Sequence, residues 1–271
     1  MDIRPLFSLE GETAVVTGAL GNLGPIWAGA LLEAGANVLA LDIRDAPLPD
    51  AVRGLSAKFG ERLAIRKTDI RTSDDLRAAC TACLELFGAP TVLVNNAGID
   101  QPPAAAPKTY RVEDWPLEQF RTVVDVNLSH TFSVSQVFGG EMVRRGKGSI
   151  INIGSLYASV SPDPSFYDHI RADPPFLKPA AYGASKAGLV NLTKYLATHW
   201  ARYGVRVNAL SPGGVLGEQD PEFKRKFCAR VPMGRMAEAA DLVGPLLFLA
   251  SSASRYVTGV ELRVDGGFTA W

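Results

Sequence analysis

Seven short apolar runs recur along the chain, most of them separated by amphipathic segments. This alternation is the feature that most restricts what the chain can fold into. The runs are Thr13–Thr17, Asn37–Asp42, Leu63–Thr68, Thr91–Asn95, Ser149–Ile153, Val205–Leu210 and Val260–Val264. They are short, rich in β-branched residues and almost unbroken in hydrophobicity, as strands buried on both faces must be. Asp74–Phe87, Leu117–Arg144, Ala184–Tyr203 and Ala239–Ser251 carry helical spacing. In the third of these, Leu189, Leu192, Leu196, Trp200 and Tyr203 share one side. Strand–helix–strand repetition predicts an α/β fold, a doubly wound parallel sheet of about seven strands with helices on both faces. No composition break divides the 271 residues, so one domain over 1–271 is expected.

Charge and cysteine content exclude several functions. Lys+Arg and Asp+Glu are 28 each, so no net field gathers nucleic acid or an anionic membrane. No run is long and apolar enough to span a bilayer, and the first residues have no apolar signal core. The cysteines are Cys80, Cys83 and Cys228, an odd number without secretory features. These observations predict a soluble, cytoplasmic protein.

The first strand runs into Thr17-Gly18-Ala19-Leu20-Gly21-Asn22-Leu23-Gly24, and a helix follows. Glycines let the turn close tightly and let backbone N–H groups approach a pyrophosphate, whose charge the helix N-terminus favours. A strand–glycines–helix order near the start of an alternating chain predicts a dinucleotide site. The second strand ends at Asp42. A carboxylate there accepts hydrogen bonds from the adenosine ribose hydroxyls and repels a 2′-phosphate, which favours NAD over NADP. Arg44, two residues on, softens that preference.

Tyr182 and Lys186 stand four positions apart at the start of a helix and so share a face. An ammonium beside a phenol favours the phenolate. Free tyrosine titrates near ~10, and a lysine together with a positive nicotinamide ring would bring it toward neutrality as a general acid/base. Gly154-Ser155 follows the fifth strand and Asn95-Asn96-Ala97-Gly98 ends the fourth, both at the carboxyl edge where open sheets bind ligands. Asn127 is polar in an otherwise apolar turn of the next helical segment. It serves either as a packing amide or as part of the site.

Together these motifs resemble the short-chain dehydrogenase/reductase family, in its compact branch on a Rossmann-type sheet. The resemblance spans nearly the whole chain through Thr17-Gly18…Gly24, Asp42, Asp69-Ile70, Asn95-Asn96-Ala97-Gly98, Asn127, Ser155, Tyr182…Lys186, Ser211-Pro212-Gly213 and Val264-Asp265-Gly266-Gly267. It implies that Tyr182 gives and takes the proton and that Ser155 binds the substrate oxygen. It implies that Lys186 holds the nicotinamide ribose and lowers the tyrosine pKa, and that Asn127 holds a proton-relay water. Cofactor contacts are implied for Gly18, Asn22, Leu23, Gly24, Asp42, Asp69, Ile70, Asn96, Ala97, Gly98, Tyr182, Lys186, Pro212, Gly213 and Val215. The activity implied is hydride exchange between NAD and a secondary alcohol or ketone. Many such enzymes are tetramers or dimers packed through the segments Leu117–Arg144 and Ala184–Tyr203, so a homo-oligomer is expected.

The chain departs from the family pattern in three places. The glycines at 18, 21 and 24 follow the spacing of the extended branch, which includes nucleotide-sugar epimerases and dehydratases with tightly bound NAD; the compact branch would place glycine at Asn22. Valine stands at 215, where threonine is usual. Ser155 and Tyr182 lie much further apart than usual, so 156–181 is an insertion that leaves and returns at the active-site edge. It holds Pro162, Pro164, Pro174, Pro175 and Pro179 and shows no periodicity. It also carries Tyr157, Asp163, Tyr167, Asp168, His169, Arg171 and Lys178. Such polar groups suit a sugar, sugar acid or polyol, with Tyr157, His169 and Arg171 as candidate contacts; a lid that only excludes water is the competing reading. A dinucleotide-sensing protein without catalysis is a further alternative, since a fold does not guarantee an activity. Cys80 and Cys83 read as buried small residues of one helix, and His130, His169 and His199 lack metal-ligand spacing. The terminal Phe268-Thr-Ala-Trp271 reads either as a segment packed across a subunit boundary or as a disordered tail.

Overall fold

The computed structural model describes residues 3–44, 47–101 and 109–271. In chain order the strands are β1 (Thr13–Thr17), β2 (Asn37–Asp42), β3 (Leu63–Lys67), β4 (Val92–Asn95), β5 (Gly148–Ile153), β6 (Val205–Pro212) and β7 (Glu261–Val264). The helices are α1 (Arg4–Phe7), α2 (Gly24–Glu33), α3 (Asp50–Phe59), α4 (Ser73–Phe87), α5 (Leu117–Val124), α6 (His130–Arg145), α7 (Ala180–Trp200), α8 (Pro221–Arg230) and α9 (Ala239–Ala250). The strands form one sheet in the order β3-β2-β1-β4-β5-β6-β7, and every pairing is parallel.

Side-chain alternation along the strands builds a core on each face. Ala14, Val16, Val92 and Val94 face α2 and α9, where Trp27, Leu31, Leu242 and Leu246 meet them. Val15, Leu93 and Ile150 face the other way, onto Leu76 and Cys83 of α4, Phe138 and Met142 of α6 and Leu196 of α7. Burial on both faces explains the unbroken hydrophobicity of the central strands. The strand order reverses between β1 and β4, so a crevice opens at their carboxyl ends, where ligands bind in open α/β sheets.

Two regions differ from expectation. The segment Leu117–Arg144 is not one continuous helix: a π turn over Asp125–Ser129 separates α5 from α6. Its cause is Asn127, which is fully buried. The Asn127 amide donates to the Ile99 carbonyl at 2.8 Å and accepts from the Ile99 N–H at 2.8 Å. The wider turn accommodates the residue drawn inward, and such turns occur often at functional sites.

The inserted segment is also more ordered than its composition suggests. It holds short 3₁₀ turns over Leu156–Ala158 and Pro164–Phe166. Phe166 is 2% exposed and packs with Phe227, Val231, Met236 and Phe268 in a third apolar cluster. Aromatic rings supply here the apolar area that periodicity did not reveal. The C-terminal turn belongs to the same cluster through Phe268, while Trp271 is exposed and its indole N–H reaches the Arg230 carbonyl at 3.3 Å.

Candidate active site

The glycine turn is shaped by its neighbours on β4. Gly18 has φ +63°, and a Cβ there would lie 2.8 Å from the Ala97 Cα. A Cβ on Gly24 would lie 2.4 Å from the Ala19 carbonyl oxygen, so both positions need glycine. Asn22 is exposed, and among the described residues only glycines have positive φ. The turn therefore does not require glycine at 22. Leu23 is half-buried against the core at the N-cap of α2, and Pro25 occupies the first turn of the helix.

Asn96 ties the turn down. Its amide donates to the Thr17 and Gly18 carbonyls at 3.1 and 2.9 Å and accepts from the Trp27 indole at 2.8 Å. The Thr17 hydroxyl accepts from the Asn96 and Ala97 backbone N–H groups, each at 3.1 Å. Sequence reasoning had assigned no role to Trp27, since one tryptophan in an apolar helix face looks like any core residue.

Asp42 ends β2 and is 6% exposed. It accepts from Leu20 N–H at 2.8 Å and from the Arg44 N–H at 3.0 Å, and the Arg44 guanidinium bridges it at 3.1 Å. A buried carboxylate beside the glycine turn matches the chemistry of ribose hydroxyls, so the donor and acceptor set fits a dinucleotide. Asp69 lies beyond β3 and is clasped by Arg71 at 2.6 Å, which holds its carboxyl below the ordinary range. Ile70 packs against the second core cluster. Pro212 ends β6, Gly213 N–H bonds the Val264 carbonyl at 2.9 Å, and Val215 bridges to Ala237.

Four candidates converge at the ends of β4 and β5. Ser155 is buried, its hydroxyl accepts from the Tyr157 N–H at 3.2 Å, and it favours the ionised form of the Tyr182 phenol. Lys186 is buried, with its Nζ 2.7 Å from the Ile153 carbonyl oxygen and 5.8 Å from the Tyr182 ring centroid. A Cβ on Gly98 would meet the Asn127 Oδ1 at 3.1 Å and the Lys186 Nζ at 3.5 Å, so these groups share one small space. Asn127 also donates to the Ser185 hydroxyl at 3.0 Å.

Burial holds the Tyr182 phenol above its ordinary range, while Ser155 and then Lys178 oppose that rise. Burial pushes the Lys186 ammonium down to about 8. Desolvation disfavours the charged form of both groups, and it dominates here.

Of the candidate substrate contacts, Tyr157 is half-buried. Burial and then Tyr167 keep its phenol protonated. His169 faces Asp220, the N-cap of α8, at 2.8 Å, so it ties the insert to the start of that helix rather than to the Ser155–Tyr182 pair. Arg171 is exposed and lines a surface cavity of about 750 Å³ with Tyr167 and Phe176. Lys226 of α8 clasps Asp168, and Arg230 pairs with Asp163 at 3.2 Å. Sequence reading counted Lys178 among the insert's polar groups without a role; its Nζ lies 5.4 Å from the Tyr182 ring centroid. Asp100 escaped notice altogether, since only the fold brings it to residue 178.

This geometry has relatives among known proteins. The family model described as enoyl-(acyl carrier protein) reductase matches residues 18–269, and the chain belongs to the short-chain dehydrogenase/reductase family. It is 36% identical to a galactitol 2-dehydrogenase (L-tagatose-forming) of Cereibacter sphaeroides, with 100% of both sequences covered. A gluconate 5-dehydrogenase from Burkholderia cenocepacia, in complex with NADP and tartrate, is 31% identical with a TM-score of 0.82 and 100% of both chains covered. A short-chain dehydrogenase from Leptospira borgpetersenii with bound NAD+ is 32% identical with a TM-score of 0.83, covering 99% of this chain and 96% of that one. The protein is thus an NAD(P)-dependent oxidoreductase acting on CH–OH groups.

Proposed function

We propose that this enzyme interconverts a secondary alcohol and a ketone on a sugar, sugar acid or polyol, with NAD favoured over NADP. The convergence of Asn127, Ser155, Tyr182 and Lys186 at the carboxyl edge of the sheet carries this reading. The similar galactitol and gluconate dehydrogenases support the substrate class. The buried Asp42 carboxylate supports NAD, and the half-exposed Arg44 beside it is the group that would accept a 2′-phosphate and admit NADP.

When bound, the dinucleotide supplies the acceptor or donor of hydride. Gly18 and Gly24 would let backbone approach its pyrophosphate, and Asn96, Ala97, Gly98, Pro212, Gly213 and Val215 would help to hold it. Asp69 and Ile70 would bind at its adenine. Tyr182 moves the proton of the substrate hydroxyl. Ser155 orients that oxygen by hydrogen bonding, and the electrostatic support acts where charge develops. Lys186 would hold the ribose, and Asn127 orders the groups between Ile99 and Ser185. The chain works as one domain, with 156–181 as its substrate-side loop.

The reading of a nucleotide-sugar epimerase or dehydratase rests on the glycine spacing alone, whereas the similar galactitol and gluconate enzymes are named dehydrogenases. A homo-oligomer is part of the proposal: Leu117, Phe132 and Tyr195 are exposed apolar groups on α5, α6 and α7. So is a cytoplasmic location. Burial pushes the Cys80 and Cys83 thiols up to about 11 and about 12, as suits inert reduced cysteines. Among the described residues no helix is long and apolar enough to cross a membrane.

The test follows reduced-nicotinamide absorbance with NAD and NADP against galactitol, gluconate and other polyols. Tyr182→Phe is expected to bind NADH normally and to lose at least about a hundredfold in kcat. Turnover retained in that variant would overturn the assignment.

A further inference from the structure

Lys178 lies within the insert, two residues before α7 begins. Its Nζ pairs at 2.6 Å with the carboxylate of Asp100, in the loop after β4, and lies 5.4 Å from the Tyr182 ring centroid. The Lys178 side chain is 19% exposed and the Asp100 side chain 48%, so the pair can be reached from its carboxylate side. Other ion pairs of the insert run to α8 and its cap: His169 with Asp220, Asp168 with Lys226 and Asp163 with Arg230. Arg171 opens on the outer cavity with Tyr167 and Phe176. Lys186 serves the cofactor in the proposed function. Among the described residues, the insert thus presents beside Tyr182 a cation that already has its counter-charge.

We propose that Lys178 and Asp100 together determine substrate charge, selecting uncharged polyols over sugar acids. The proposal rests on the reading of a sugar-like substrate whose reacting hydroxyl meets Tyr182. A polyol hydroxyl both donates and accepts, so neighbouring hydroxyls satisfy the pair whole: they donate to the Asp100 carboxylate and accept from the Lys178 ammonium. The carboxylate of a sugar acid only accepts. To reach Lys178 it must displace Asp100 or share the ammonium with it, and either arrangement sets two negative charges side by side. At ~4 Å their repulsion weakens binding at least about fivefold even with water-like screening. The low exposure of Lys178 adds to this, because less water is at hand to screen the charges.

The experiment compares substrates that differ only at one terminal carbon, CH2OH or carboxylate: galactitol with galactonate, and glucitol with gluconate. Their kcat/KM values for oxidation are measured in the intact enzyme, and the readout is the polyol-to-acid ratio within each enzyme sample, from which any loss of folded protein cancels. The parent is expected to favour each polyol by about tenfold or more. Asp100→Asn leaves the ammonium unopposed and is expected to lower the ratio by about tenfold or more, with KM for the acid falling. Lys178→Met leaves the carboxylate unopposed and is expected to raise the ratio, with KM for the acid rising. Lys178→Arg keeps the parent ratio. An ion pair that merely fastened the insert to the β4 loop would weaken both members of each pair alike. A ratio unchanged in Asp100→Asn and Lys178→Met therefore overturns the proposal, as does a parent enzyme that favours the acids. The underlying function fails separately, if the parent oxidises no member of either pair or if Tyr182→Phe keeps turnover.

Discussion

The two sides of the crevice are built by different physics. On the cofactor side, backbone meets backbone. Gly18 passes against Ala97, Gly24 against Ala19, and the Asn96 amide closes the gap with bonds to two main-chain carbonyls. On the substrate side, side chains meet side chains. Phe166 wedges into an aromatic cluster, and pairs such as Arg230–Asp163 and His169–Asp220 clip the insert to α8. Backbone contacts leave no room for substitution, whereas exposed ion pairs are individually weak. The proposed cofactor side is therefore rigid, whereas the proposed substrate side can vary.

The largest break in that contrast comes from Gly24→Ala. One added methyl would stand 2.4 Å from the Ala19 oxygen and 2.5 Å from the Gly18 oxygen, neither of which can yield without reshaping the turn. Overpacking of this kind costs about 3 kcal/mol. Calorimetry is expected to show the melting temperature lowered by roughly 6–12 °C, and fluorescence titration to show NADH binding lost. A variant that binds NADH normally would mean that the turn is softer than its contacts.

This difference also governs what can be read without coordinates. The cofactor side was legible because it uses contiguous motifs. Thr17 through Gly24 and Asn95 through Gly98 are each one stretch of chain after a strand, and their meeting follows from the strand order. Ser155, Tyr182 and Lys186 were legible for the same reason, as strand-end and helix-face positions. The substrate side was not, because its contacts join residues far apart in sequence: Asp100 with Lys178, Asp168 with Lys226, His169 with Asp220. The π turn was hidden too, since Asn127 takes its buried place only when Ile99 is beside it. Nor does the Tyr182–Lys186 spacing reveal desolvation; that depends on what covers both groups.

Lys186 joins the two sides, and its burial has a cost that pH exposes. Its ammonium titrates near 10.5 in the unfolded chain and at about 8 when folded. Between those values the unfolded chain binds the proton and the folded one has released it, so this group's contribution to stability rises as pH climbs. Below pH 8 the penalty is complete, at most about 3 kcal/mol. Lys186→Met removes the penalty. The cofactor-free variant is expected to melt higher than the parent at pH 7, with a smaller rise in stability from pH 8 to 10.5, while turnover is lost. Thermal melts at pH 7 and 10 check this. An unchanged pH slope would show that the nitrogen is better solvated than its burial implies.

The smallest expected effect lies on the other side. Lys226 pairs with Asp168 and donates to the Ser165 carbonyl at 3.0 Å, fastening the insert from α8. Phe166, however, already anchors that turn in the aromatic cluster. Replacing Lys226 with alanine should therefore cost about 1 kcal/mol or less, because its carboxylate partner is largely in solvent and the Coulomb gain is screened there. Substrate KM is expected to rise a few-fold while the affinity for NADH stays at the parent value, since no contact of Lys226 reaches the glycine turn. Added salt should narrow the KM difference between parent and variant, because it weakens in the parent the pair that the variant lacks. A loss of NADH affinity in this variant would mean that the two sides of the crevice are mechanically coupled, and that the insert reaches the cofactor as well as the substrate.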